Sequence, residues 1–426
     1  MKFNFEKLSK NNFKKIKFNE YDFVIIGSGP SATVLLNELI KRKKKILIIE
    51  KGNFSEKKYK EIKSIDFKIK KNSRTFSVGG TSQDWSNISS YFEKIELSNN
   101  ETKKNIWPLN HSDLLKYYKN LDNKFGFGFK KLNKKNLKIP FNLRKFIGNI
   151  RPRNFKFFHT ATDYDLLFNA NIDYIDEKNN SVKLYISSKS IKKTCTVKNI
   201  TLCNGGIESI ALILKSLKRG MLKKLRNKKY VGRYFMDHPK CYVGNIIYPK
   251  KKILEQLEIK YNKNFISYYG ISLNENDQKD FNLLNSYIRF EKQNKKISSV
   301  LNFIEKNLDK TFSKLINFKN NEIYSMRLFF EMEPIFNNRI IIDDKEDVIC
   351  KLKLSKKEKN TVNFLLKKIN AFLSEKPKEE KINTFAKFEN KLEGASHHMG
   401  GLCYPKVVNK NLKFKGLKNI YCCSSS

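Results

Sequence analysis

The chain has 426 residues, 40% of them hydrophobic and 33 of them Phe, which is enough apolar material for two domains or one large domain with an insertion and excludes disorder as the default. It carries 86 Lys+Arg against 42 Asp+Glu, a net charge of +44. That balance raises nucleic acid or an anionic membrane as a partner. The lysines, however, are spread along the whole chain, and Lys and Asn fill ordinary surface positions. Compositional drift is the preferred reading, and no nucleic-acid partner is expected.

No apolar run reaches the roughly 18 residues that a transmembrane helix needs. The first twenty residues are interrupted by charge throughout and do not read as a secretory signal. Seven cysteines, at 195, 203, 241, 350, 403, 422 and 423, include no C-x-x-C. They fit reduced thiols in a cytoplasmic setting and no metal site, zinc included.

The first predicted element is a buried strand, Tyr21-Asp22-Phe23-Val24-Ile25-Ile26, running into Gly27-Ser28-Gly29-Pro30-Ser31-Ala32. A helix follows over Ala32-Thr33-Val34-Leu35-Leu36-Asn37-Glu38-Leu39-Ile40, then a second strand, Lys45-Ile46-Leu47-Ile48-Ile49, ending on Glu50. This is a β-turn-α-β unit for a dinucleotide. Gly27 permits the tight turn, Gly29 lets the backbone approach a pyrophosphate, and Ala32 is small enough for helix and strand to pack. The helix N-terminus offers N–H groups to phosphate. Glu50, 23 residues after Gly27, can accept from a ribose and would repel a 2′-phosphate, which argues against NADP. The basic run Lys41-Arg42-Lys43-Lys44-Lys45 suits that helix's C-terminal dipole. NAD and FAD remain open at this point.

Further along lie four segments with their own logic. Ser77-Val78-Gly79-Gly80-Thr81-Ser82-Gln83-Asp84-Trp85-Ser86-Asn87 pairs two glycines with small hydroxyl residues, a loop that can lie against a flat ring and a diphosphate. Trp107-Pro108-Leu109-Asn110-His111-Ser112-Asp113-Leu114-Leu115-Lys116-Tyr117-Tyr118 predicts a structural helix capped by Ser112, its Leu and Tyr packed inward. Thr196 to Ser209 reads as a strand, a Gly205-Gly206 turn and a helix, preceded by Asn169-Ala170-Asn171-Ile172 and followed by Val231-Gly232-Arg233-Tyr234-Phe235-Met236-Asp237-His238-Pro239. Last comes Gly394-Ala395-Ser396-His397-His398-Met399-Gly400-Gly401, with two of the chain's five histidines, and then Val407 to Tyr421. Taken alone, a histidine pair is a solvated turn, a metal ligand or a base near neutrality.

Together these segments resemble the glucose–methanol–choline (GMC) family of FAD-dependent alcohol oxidoreductases, from about residue 21 to the C-terminus. The resemblance implies FAD, with Gly27, Gly29, Ala32, Glu50, Gly79, Gly80, Thr81, Ser82, Ile172 and Gly205 around it. It implies His397 as the base that takes the hydroxyl proton while hydride passes to flavin N5, and a structural role for His238. Some members bind flavin covalently through a histidine where this chain has Asp84, so non-covalent FAD is expected. The family's Asp is Asn409 here, and members continue beyond the position of Ser426 with a second active-site residue and a helix. A truncated or differently completed site is therefore an expectation too.

The fold expected is α/β: an FAD-binding Rossmann-like domain with a parallel sheet and an inserted antiparallel-sheet substrate domain. Residues 1–241 form the first parts of the FAD domain, 242–383 the substrate domain and 384–426 the return. The substrate domain includes β-rich Asn264-Phe265-Ile266-Ser267-Tyr268-Tyr269, a helix carrying Val362, Leu365 and Ile369, and the run Phe329 to Pro334 followed by Asn338 to Ile342. The substrate would be a small-molecule alcohol such as a sugar or polyol, with the electron acceptor left open. The alternatives are a flavin-binding protein without turnover and a basic nucleic-acid or membrane binder.

Overall fold

The computed structural model describes residues 16–65, 68–70, 73–85, 88–97, 108–125, 139–149, 164–249, 256–262, 265–292, 321–373 and 391–426. Ser86, Asn87, Trp107, Asn264 and the first fifteen residues, all part of the readings above, lie outside these.

A five-stranded parallel sheet takes its strands from across the chain: β1 (Phe23–Ile26), β2 (Ile46–Ile49), β3 (Asp165–Leu167), β4 (Ile200–Leu202) and β5 (Ile420–Cys422), in spatial order β5-β4-β1-β2-β3. Residues of β1 and β2 alternate between two cores, as the two-residue period of a strand requires. Val24, Ile26, Leu47 and Ile49 pack with Ile175, Leu184 and Ile186 of a three-stranded antiparallel meander (Asn171–Lys178, Ser181–Ser188, Ile191–Val197). Ile25, Ile46 and Ile48 pack on Ala32 and Leu36 of helix α1 (Pro30–Lys41). Burial on both faces explains why these strands are unbroken apolar runs. Helix α1 starts with Gly29 at its N-cap and a proline in its first turn, and Lys41 sits in its last turn where a cation suits the dipole.

The second layer is an antiparallel sheet in the order Glu393–Gly394, Pro239–Pro249, Asn321–Phe330, Ser286–Lys292, Phe265–Ser272, Asn142–Asn149, Ile88–Ser89. Two of its strands thus come from before residue 150. One face carries the helix Lys356–Leu373, whose Val362, Leu365, Leu366 and Ile369 meet Ile288, Phe290, Leu328 and Phe330. The other face bears an aromatic cluster: Phe146 stacks on Tyr268 at 4.9 Å and Tyr287 on Phe329 at 4.8 Å. Helix α2 (Gly205–Lys218) follows β4 and buries Ile207, Ile210, Ala211 and Ile213 against the meander side of the parallel sheet. The fold is mixed α/β, as expected.

One local expectation is corrected. The helix at His111–Phe125 is capped by Asn110, whose Oδ1 accepts from Asp113 N–H at 2.9 Å, while Asp113 accepts from Asn110 N–H at 3.2 Å. This reciprocal pair uses the acid three residues on, which a two-residue shift to Ser112 would waste. Leu115 and Tyr117 are exposed, and Tyr118 packs on Tyr91. Among the described residues no helix is long and apolar enough to cross a membrane.

Candidate functional site

Strand order in the parallel sheet reverses direction between β1 and β4, and the crevice beyond the C-terminal ends of such strands is where open α/β sheets bind ligands. A cleft of about 670 Å³ opens there. The turn after β1 forms its floor. Gly27 has φ +93°, and a Cβ on it would come 2.7 Å from the Asn204 Cα and the Cys203 carbonyl, so the two strand ends touch through a bare Cα. Gly29 and Gly205 are different. A Cβ on Gly29 would meet only the Cys203 carbonyl at 3.9 Å, and one on Gly205 (φ +82°) would meet nothing within 4 Å. Both glycines present backbone to open cleft.

Glu50, at the end of β2, is buried and accepts from Ser28 N–H at 3.0 Å, Ser28 Oγ–H at 2.7 Å and Gly52 N–H at 2.8 Å. Burial raises its carboxyl above the usual range, and the three donors act in the opposite direction. Ser28 Oγ also accepts from Gly79 N–H at 3.0 Å. One hydroxyl thereby joins the acid, the first glycine turn and the second glycine loop. Ser82 completes that loop by donating to Gly79 O at 2.6 Å, and a Cβ on Gly80 would sit 3.3 Å from Gly29 Cα. Deeper in the same wall lies Arg74, 5% exposed, its Nε donating to Glu208 Oε1 at 2.5 Å and its Nη1 buried without a partner. Lys51 lines the cleft beside it.

The histidine loop closes the other side. Asp237, 1% exposed, accepts backbone N–H from His238 at 2.7 Å and from His397 at 2.9 Å through the same oxygen, Oδ1. A single carboxylate therefore pins together two segments 160 residues apart. Gly394 is required beside it, since a Cβ there would run into Asp237 Oδ2. The rings of His397 and His238 face each other with Nδ1 to Nδ1 at 3.4 Å, and His238 lies 6.5 Å from Tyr287 of the aromatic cluster. Burial drives the His238 imidazole down to about 3. His398 turns the opposite way. It is buried, stacks on Phe235, and brings Nε2 to 3.5 Å from Asp237 Oδ2; burial lowers its basicity more than the carboxylate restores it.

Of the residues singled out in the sequence, the cleft brings together Gly27, Gly29, Glu50, Gly80, Thr81, Ile172 and Gly205. Gly79 and Ser82 hold the second loop from behind, and Ala32 is fully buried between α1 and the sheet. His397 is exposed toward His238, and it is His398 that lines the cleft. Sequence reasoning passed over Ser28, Arg74, Asp237 and His398. Ser28 and Asp237 stood inside quoted motifs, and their signal was a polar residue in a segment otherwise destined for burial.

No family model matches the chain, and no curated protein does. A solved structure does: pyridoxine 4-oxidase from Mesorbium loti is 13% identical and superposes with a TM-score of 0.60, covering 95% of this chain and 94% of that one. The two share a fold, a mixed α/β architecture that joins a parallel sheet to antiparallel ones.

Proposed function

We propose that the chain binds FAD non-covalently in this cleft and oxidises an alcohol group, with His397 as the base. The observation that carries the reading is the cleft at the strand-order reversal, where open glycine backbone at Gly29 and Gly205 meets the buried Glu50. A flat, diphosphate-bridged group fits such a surface. The N-termini of α1 and α2, with Lys51 and Arg74, supply donors and positive charge for phosphate. Glu50 is positioned to accept from a ribose, and its ties to Ser28 keep it in place. Bound flavin supplies the hydride acceptor for converting C–OH to C=O.

The chain's own share is proton handling. His238, held neutral by burial, accepts from His397 Nδ1–H, which leaves His397 Nε2 as the lone pair that takes the hydroxyl proton. Asp237 fixes both histidine backbones and so their spacing. We assign the antiparallel layer, with its aromatic face toward His238, to the substrate. The resemblance to pyridoxine 4-oxidase supports oxidation of a hydroxyl compound in outline.

A second reading, flavin binding without turnover, draws on the position of His397 outside the cleft lining. Anaerobic bleaching of the flavin spectrum by a panel of alcohols separates the two. His397→Ala should abolish bleaching while keeping the flavin bands. Normal bleaching by that variant refutes the role given to His397, and absence of flavin bands from the wild type refutes both readings.

A further inference from the structure

Two cysteines lie in the floor of the cleft, and nothing above uses them. Cys203 follows β4 and Cys423 follows β5, and both line the cleft. The ladder pairs Leu202 with Cys422, and Cys423 N–H donates to Leu202 O at 2.8 Å, so Cys203 and Cys423 stand side by side one step further on. Neighbouring strands run about 4.8 Å apart, inside the roughly 4.4–6.8 Å Cα separation that a disulfide spans. Strand alternation decides which thiols can meet. Cys422 points into the core on the meander side, whereas Cys203 and Cys423 share the α1 side. The vicinal pair 422–423 is thus split across the sheet, and the partner of Cys423 is Cys203. All seven cysteines are free thiols in this structure.

We propose that Cys203 and Cys423 form a redox-active thiol pair that peroxide closes to a disulfide in the floor of the cleft. The neighbouring Cys423 side chain, together with burial, raises the Cys203 thiol, and the neighbouring Cys203, against burial, lowers Cys423. Cys423 is therefore the attacking sulfur. Its thiolate attacks one oxygen of hydrogen peroxide; an S–O bond forms, the O–O bond breaks, and the departing hydroxide takes a proton to leave as water. The Cys203 sulfur then attacks the sulfenic sulfur. The S–S bond forms, the S–O bond breaks, and the hydroxyl leaves as water with the proton of Cys203. Two thiols have given up two electrons and two protons, and one peroxide has become two waters.

The site bears on the cleft because Cys203 and Cys423 line it together with Ser31, in the first turn of α1. Closing the disulfide shifts both sulfurs in the cleft floor beside the helix end that faces phosphate; this consequence, unlike the thiol chemistry, rests on the flavin reading.

The test is to treat the full-length protein with hydrogen peroxide, alkylate the remaining thiols, digest without reduction and map the peptides by mass spectrometry. The expected result is one Cys203–Cys423 linkage, reversed by dithiothreitol, retained in Cys422→Ser and lost in Cys203→Ser. A Cys422–Cys423 linkage, over-oxidation of Cys423 without any linkage, or an unreacted wild type overturns the proposal. Flavin affinity, read by fluorescence quenching, should fall at least tenfold on oxidation and recover on reduction. A linkage that leaves affinity unchanged overturns its control of the cleft. Failure of the reduced protein to bind flavin refutes the flavin reading instead, and the peptide map still decides the thiol chemistry.

Discussion

Gly27 and Gly29 are two residues apart and should fail in opposite ways when each is replaced by Ala. At Gly27 the backbone is left-handed, which costs an L-residue about 1–2 kcal/mol. The new Cβ would also lie 2.7 Å from the Asn204 Cα, where carbon atoms prefer about 3.5–4.0 Å. To relieve that contact the ends of β1 and β4 must part. The bonds at risk are Cys203 N–H to Ile26 O and Gly27 N–H to Ile49 O, both 2.8 Å. At about 1 kcal/mol each these bring the total to about 3–4 kcal/mol, a large fraction of the roughly 5–15 kcal/mol that holds a protein folded. Gly29 has φ −72° and ψ −174°, which any residue adopts, and its Cβ meets only one atom at ordinary contact distance. Gly29→Ala should be neutral or stabilising by about 0.4–1 kcal/mol, but its methyl occupies the surface offered to a diphosphate and should weaken flavin binding about tenfold or more, which is about 1.4 kcal/mol. Urea unfolding and flavin fluorescence quenching separate the two effects. An unchanged urea midpoint for Gly27→Ala, or unchanged flavin affinity for Gly29→Ala, refutes the reasoning.

Two further outcomes follow from side chains already placed. Asp84 is held by Thr75 Oγ1 at 2.6 Å, Lys57 at 3.1 Å and Tyr59 at 3.2 Å and offers no ring nitrogen to a flavin; acid precipitation should release all flavin into the supernatant, and yellow colour retained in the pellet would contradict non-covalent binding. Stability should depend on pH with a definite sign: His238 titrates at about 3 when folded against an ordinary 6.5, so the unfolded chain binds the extra proton and stability present above pH 6.5 is lost as pH falls toward 3. His398 acts in the same direction and Glu50, raised by burial, in the opposite one. Urea midpoints across that range should decline less in His238→Gln and more in Glu50→Gln, and identical slopes in all three proteins would count against the assignment.

How much of this was readable in advance depended on whether the information was local. The strand-turn-helix-strand at the N-terminus lay within a residue or two of its expected bounds, because buried β-branched runs, a proline in the first turn and a glycine at φ +93° are all encoded within thirty residues. Elsewhere in the parallel layer β4 lay inside the strand read from Thr196, whereas β3 (Asp165–Leu167) belonged to no predicted strand. The antiparallel layer was harder. Asn142–Asn149 enters it by pairing with Phe265–Ser272, and its sequence, with Arg144 and Lys145 amid Leu143, Phe146 and Ile147, has no clean alternation to announce a strand. Ser28 and Asp237 were missed because their importance is a matter of partners: the first meets Gly79 and the second His397, far off in the chain. The adjacent histidines show the limit most clearly. A motif counts residues, whereas the left-handed Ser396 (φ 67°) and the carboxylate beneath it decide which imidazole turns toward Phe235 and the cleft and which toward His238. Reading a base from spacing alone therefore selects the pair and leaves the choice within it to the geometry of Asp237. Because that carboxylate accepts from the His397 backbone and faces the His398 ring, it governs both rings at once, and the distribution of work between them is a property of residue 237 as much as of either histidine.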